Sequence, residues 1–152
     1  MKGTPGTPHE ADQKQVMPLL EEARMVLPGL QALFGFQLIA VINEGFDKLS
    51  GNQKLVHFIA LSATLLSAII VMTPAAYHRI AEKWRASHAF IRVSSRLVAA
   101  AMAVFLAGFT LELWLIADLI FRNSAVSLGM AGLVFIIGAG LWFVWPMSQR
   151  QQ

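Results

Sequence analysis

Glu112, Gln37, His57 and Gln31 are the side chains here whose types could do chemistry in an unusual place, because each stands inside a long apolar stretch. A carboxylate with an imidazole and amides around it, held out of water, could bind a proton or small cation. Glu112 would then be the site, with Gln37 and His57 as supporting ligands or hydrogen-bond partners. The same groups could instead fix helix packing through a protonated or hydrogen-bonded carboxyl. Gln31 could line a pore or make an interhelical hydrogen bond. At 1.5 Å per residue from Leu97, Glu112 falls about two turns short of the far boundary of its stretch. Gln37 falls at a similar level and His57 slightly nearer the surface, so the three can form one polar cluster. Asp118 lies close enough to that surface to be solvated.

Four apolar stretches position these residues: Val26–Ile42, Val56–Ala76, Leu97–Phe121 and Val126–Trp145. A hydrocarbon core about 30 Å thick needs about 20 helical residues, so each stretch spans or nearly spans it. Without water the backbone must satisfy its own hydrogen bonds, and single apolar runs do so as helices. The expected fold is all-α, an integral membrane four-helix bundle preceded by a short amphipathic interfacial helix. Composition agrees: 56% of residues are hydrophobic and 14% charged, against about 25% charged in soluble domains.

The basic residues are unevenly placed. Lys2, Lys14, Arg24, Arg79, Lys83, Arg85, Arg92, Arg96 and Arg150 flank one side of the expected spans, and only Lys48, Lys54 and Arg122 the other. The positive-inside rule then puts both termini and the middle loop in the cytoplasm. The basic middle loop is expected against anionic lipid headgroups rather than nucleic acid. Met1 to Gln15 lack the pattern of a secretory signal, so the first span is expected to act as its own uncleaved insertion signal.

Residues 1–12 read as a disordered tail, and 13–152 as the transmembrane domain. From Val16 an amphipathic helix is expected in the cytoplasmic interface before the chain turns inward, with Pro18 in its first turn and Pro28 at the start or kink of the first span. The middle loop, His78 to Val93, holds no Gly or Pro and reads as helical. Tyr77 and Trp84 suit interfacial anchoring, and Arg79, beside His78, is placed to pair with Glu22. Ala99, Ala103 and Ala107, with Gly108 adjacent, form a small-residue face that invites a neighbouring helix, and the last span is rich in glycine. The short connection from Arg122 to Ala125 forces the last two spans antiparallel.

Catalytic motifs are missing. There is no zinc-protease histidine pair, phosphate loop or nucleophile elbow. The absence of cysteine excludes thiolate chemistry. His57 and His78 fall at opposite membrane faces, and His9 and His88 are far along the chain, so no haem pair forms. Neither an enzyme nor a cofactor or metal is expected.

Leu19-Leu20-Glu21-Glu22-Ala23-Arg24-Met25-Val26 followed by Gly29-Leu30-Gln31-Ala32-Leu33-Phe34-Gly35-Phe36 resembles the opening of a family of short, four-span bacterial membrane proteins of unknown function. The likeness continues at Thr73-Pro74-Ala75-Ala76-Tyr77-His78-Arg79-Ile80, at Ser95-Arg96-Leu97 and at the closing Leu141-Trp142-Phe143-Val144-Trp145-Pro146-Met147. Some members of that family carry automated sodium:proton antiporter labels. The resemblance implies a multi-pass protein of the bacterial inner membrane and supplies no established activity. The expected role is an accessory or assembly subunit in a homo-oligomer or larger membrane complex. The alternative is a homo-oligomeric channel or carrier for protons or small cations, and a lipid-responsive role for the amphipathic helix and basic loop is the third.

Overall fold

In the computed structural model, residues 8–81 and 88–149 are described. Helix α1 runs from Pro8 to Val41, a short α2 from Glu44 to Asp47, α3 from Gly51 to Ala81 and α4 from His88 to Phe121. Helix α5 covers Ser124–Ala139, continues through a π-helical turn at Gly140–Val144, and ends in α6 at Trp145–Gln149. The fold is an all-α membrane helical bundle. Three segments, Gly51–Tyr77, Phe90–Phe121 and Ser124–Gln149, are long and apolar enough to cross a membrane. The fourth apolar stretch, Met25–Val41, is the second half of α1 and is shorter, about 25 Å at 1.5 Å per residue. Large side chains such as Phe36, Ile42, Leu128 and Ile136 face outward. Lipid suits so much exposed apolar surface where water would not.

One expectation is corrected at the N-terminal side. Helix α1 is continuous from Pro8 to Val41, so residues 8–12 are helical and no turn separates an amphipathic helix from the first apolar stretch. Residues 1–7 lie outside the described set. A proline removes one N–H from the helix ladder, and in lipid a helix is still the cheapest way to satisfy the remaining backbone groups. Pro74 sits inside α3 on the same terms.

The α3–α4 seam is the centre of the bundle, and α1 packs mainly on α3. On α3 the buried residues are His57, Ala60, Thr64, Ser67, Val71 and Pro74, a three-four spacing that keeps one stripe facing one partner. Ser94, Val98, Ala101, Gly108, Glu112 and Leu115 answer from α4. A Cβ on Gly108 would come within 2.9 Å of the Ala63 Cβ and 3.1 Å of the Ala60 carbonyl oxygen, so the helices meet nearly backbone to backbone there. Ala99, Ala103 and Ala107, by contrast, are exposed. Leu30 of α1, Val71 and Ala101 form the apolar core, flanked by Val26, Ala68, Ile70 and Phe105. Helix α5 packs on α4, seating Gly138 against Leu106, and the π-helical turn sets Trp142 in a stack on Phe105 at 6.3 Å.

Two connections close one end of the bundle, here the loop end: residues 42–50 and the pair Arg122–Asn123. Arg122 takes a left-handed φ of 48°, which turns the chain directly after α4. Asn123 then caps α5, its Oδ1 accepting from the amides of Ala125 at 3.1 Å and Val126 at 3.4 Å.

Candidate functional site

Three helices each bring one polar side chain to a common point in the loop-end half of the bundle. Gln37 comes from the last turn of α1, His57 from about 9 Å inside α3, and Glu112 from about 14 Å before the end of α4, at 1.5 Å per residue. All three are buried. His57 Nδ1 lies 3.0 Å from Glu112 Oε1, and Gln37 Nε2 donates to Glu112 Oε2 at 3.3 Å. His57 Nε2 lies 3.1 Å from the Gln37 backbone oxygen. Phe46 meets the imidazole edge-on at 5.5 Å.

Hydrogen-bond chemistry sets a condition on the protons of this pair. Both ring nitrogens of His57 face oxygens, and a neutral imidazole carries one N–H. Both contacts are hydrogen bonds only if His57 and Glu112 hold two protons between them, as imidazolium with carboxylate or as imidazole with carboxylic acid. Either form has no net charge, which suits a group set in hydrocarbon. Both oxygens of Glu112 are engaged by the other two helices. Gln37 Oε1 is buried without a hydrogen-bond partner among the described residues.

Gln31 is not part of the cluster. It is exposed on α1 and makes no side-chain hydrogen bond among the described residues. Six residues separate it from Gln37, which at 100° each turns it about 120° away.

Above the triad a cavity of about 830 Å³ opens toward the loop end. Leu33, Phe36, Leu115, Ile116 and Leu119 give it apolar walls, and Lys48, Gln53, Asp118, Arg122 and Ser124 a polar rim. Asp118, expected as a solvated charge, is half-buried. Its Oδ2 accepts from Gln53 Nε2 at 3.2 Å and its Oδ1 from Ser124 Oγ at 3.1 Å. Reading the sequence does not single out this rim, because its residues come from loops and helix ends with no shared period. Below the triad the seam is tight: Thr64 Oγ1 donates to the Ala60 carbonyl at 3.1 Å and Ser67 Oγ to the Ala101 carbonyl across the helices at 2.8 Å. Among the described residues, no three His, Asp or Glu side chains come together to hold a metal ion.

At the opposite end Tyr77 stacks on Phe90 at 5.5 Å, and Arg79 is exposed. The side chains of Glu22 and His78 lie outside the described residues, and the expected Glu22–Arg79 pair with them.

Fold and site together define a small multi-helix membrane protein with a buried polar clasp between three of its helices. Within that class the chain belongs to a family of unknown function (DUF6328), whose family model matches residues 6–146. Among curated proteins and among solved structures, none matches the chain.

Proposed function

We propose that this is a four-span protein of the bacterial inner membrane, both termini cytoplasmic, that acts as an accessory or assembly subunit in a homo-oligomer or larger complex and not as an enzyme. The short apolar half of α1 counts as the first span, and the basic bias at the terminus end supports the orientation. Arg79, Arg92 and Arg96, exposed there, suit contact with anionic headgroups of the inner leaflet. The observation that carries the assembly role is α5. Only 11% of its apolar window is buried, against 28% for each of the other two long helices. A Cβ on Gly129, Gly132 or Gly140 would meet nothing within 4 Å. Glycine costs a helix about 1 kcal/mol relative to alanine, and in lipid it returns that cost when another helix approaches closely. The engaged oxygens of Glu112 also favour a clasp over a conduit.

Extraction in mild detergent followed by mass measurement and partner identification tests this role. Recovery in an oligomer or with a foreign partner is expected; a clean, lone monomer overturns it.

The two-proton count at His57 and Glu112, beneath a cavity open at one end, favours a second reading: a carrier or channel for protons or small cations formed between protomers. Flux into liposomes comparing wild type with Glu112→Gln decides it. Equal flux in both, or none in either, removes it.

A further inference from the structure

The cavity has an unusual division of character. Phe36, Ile116 and Leu119, three of its wall residues, are also strongly exposed, at 70%, 47% and 45%. The wall is therefore open sideways as well as endwise. The opening lies between α1 and α4, which touch each other far less than either touches α3. On a membrane-embedded chain that side faces lipid chains. At about 830 Å³ the space falls within the roughly 300–1,000 Å³ typical of small-ligand sites.

The rim carries two cations, Lys48 and Arg122, against one carboxylate, Asp118, and so a net positive charge. Lys48 and Arg122 both line the cavity, and neither pairs with a carboxylate among the described residues. The rim's own carboxylate, Asp118, has both oxygens taken by neutral donors, Gln53 and Ser124. Lys54 is set over the Phe46 ring at 5.5 Å, and Glu44 and Asp47 do not line the cavity. At the floor the carboxylate of Glu112 is paired with His57 and Gln37. An anion is thus favoured at the rim and a cation is not favoured at the floor. Guanidinium and ammonium groups are the natural partners of phosphate oxygens.

We propose that this cavity binds an anionic phospholipid taken sideways from the adjoining leaflet, its phosphate on Lys48 and Arg122 and an acyl chain along Phe36, Leu115, Ile116 and Leu119. Apolar walls open to hydrocarbon supply the chain site, and two unpaired cations at headgroup depth supply the phosphate site. The site holds whether or not the chain assembles with a partner.

Native mass spectrometry of the full chain, released from nanodiscs of equal phosphatidylglycerol and phosphatidylcholine, tests it. Wild type is expected to retain phosphatidylglycerol at least fivefold over phosphatidylcholine. The Lys48→Gln/Arg122→Asn variant, in which asparagine tolerates the left-handed turn, is expected to lose that preference. Ile116→Trp, which narrows the portal and keeps both charges, is expected to lose retention of either lipid. An Arg79→Gln/Arg92→Gln/Arg96→Gln variant is expected to keep the preference, because those residues belong to the other end. No preference in wild type, preference surviving the Lys48/Arg122 change, or full retention by Ile116→Trp each overturns the proposal. Added palmitate that displaces the phospholipid mole for mole also overturns it, since the site would then be one for a free fatty acid.

Discussion

Helix α4 is held by α3 on one side and by α5 on the other, and the two contacts are made of different chemistry. Toward α3 it presents Ser94, Ala101, Gly108 and Glu112, small or polar groups that hydrogen-bond across the seam or let the backbones close. Toward α5 it presents side chains such as Leu106 and Phe105, met by Gly138 and Trp142. In lipid this difference decides how firmly each pair is fixed. A leucine gains little by leaving lipid tails for another helix, because the tails are as apolar as it is. A buried carboxylate loses much if its partner moves, a hydroxyl a little, and backbones that meet directly leave no room to slide. The α3–α4 pair therefore has one register, whereas α5 is fixed mainly by shape and by the two-residue turn at Arg122–Asn123.

The sharpest way to break this contrast is at Glu112. Glu112→Ala leaves Gln37 Nε2 without its acceptor and His57 without a partner at Nδ1, all at a buried point joining three helices. Removing one member of a buried pair costs about 3–5 kcal/mol, and a loss of that order is expected in unfolding free energy measured by steric trapping in bicelles. Glu112→Gln should cost under about 1 kcal/mol. Its amide can accept from Gln37 and donate to a neutral His57 whose Nε2–H still meets the Gln37 carbonyl, so every bond of the clasp survives. If both variants lose stability equally, charge and not hydrogen bonding holds the clasp.

The next test acts on shape. Gly108→Ala puts a methyl within 2.9 Å of the Ala63 Cβ and 3.1 Å of a backbone oxygen, and neither neighbour is the end of a flexible chain. Overpacking of this kind costs about 1–3 kcal/mol. Gly138→Ala meets the Leu106 Cδ1, which can rotate away, so its cost should be clearly smaller in the same assay. Equal costs would mean that α5 is as rigidly seated as α3.

Much of this arrangement is legible in the sequence, and what is not has physical reasons. Spans can be read because lipid forces the backbone into helices of a set length, and counting residues from a span's end gives depth. Depth alone brings Gln37, His57 and Glu112 to one level. What depth does not give is rotation, so Gln31 reads as a pore-lining or interhelical group although its face is exposed. The same ambiguity affects α4. Ala99, Ala103 and Ala107 look like the packing face with Gly108 beside them, yet of these only Gly108 lies in the seam, which runs through Ala101 and Glu112, because a face containing a carboxylate must be the one turned inward. On α3 the three-four spacing of His57, Ala60, Thr64, Ser67 and Val71 carries that phase in the residue types themselves. Pro18 reads as part of a first turn and Pro28 as the start or a kink of the first span, and α1 runs continuously through both.

The smallest effects give the finest comparison between the two faces of α4 and its neighbours. Ser67→Ala removes one hydrogen bond to the Ala101 carbonyl; such bonds between membrane helices average about 0.6 kcal/mol, and a loss near that figure is expected. Gly132→Ala on α5 should change stability by a similar amount with the opposite sign. Its added methyl meets nothing within 4 Å, so alanine's better helix propensity is gained without a clash, worth about 0.4–1 kcal/mol. That gain should appear for the isolated chain in bicelles. If α5 is where another helix docks, the same methyl fills the space the partner's backbone needs, and the fraction recovered in the assembly should fall. A variant that is more stable alone and also assembles as well as wild type would show that this face of α5 meets only lipid.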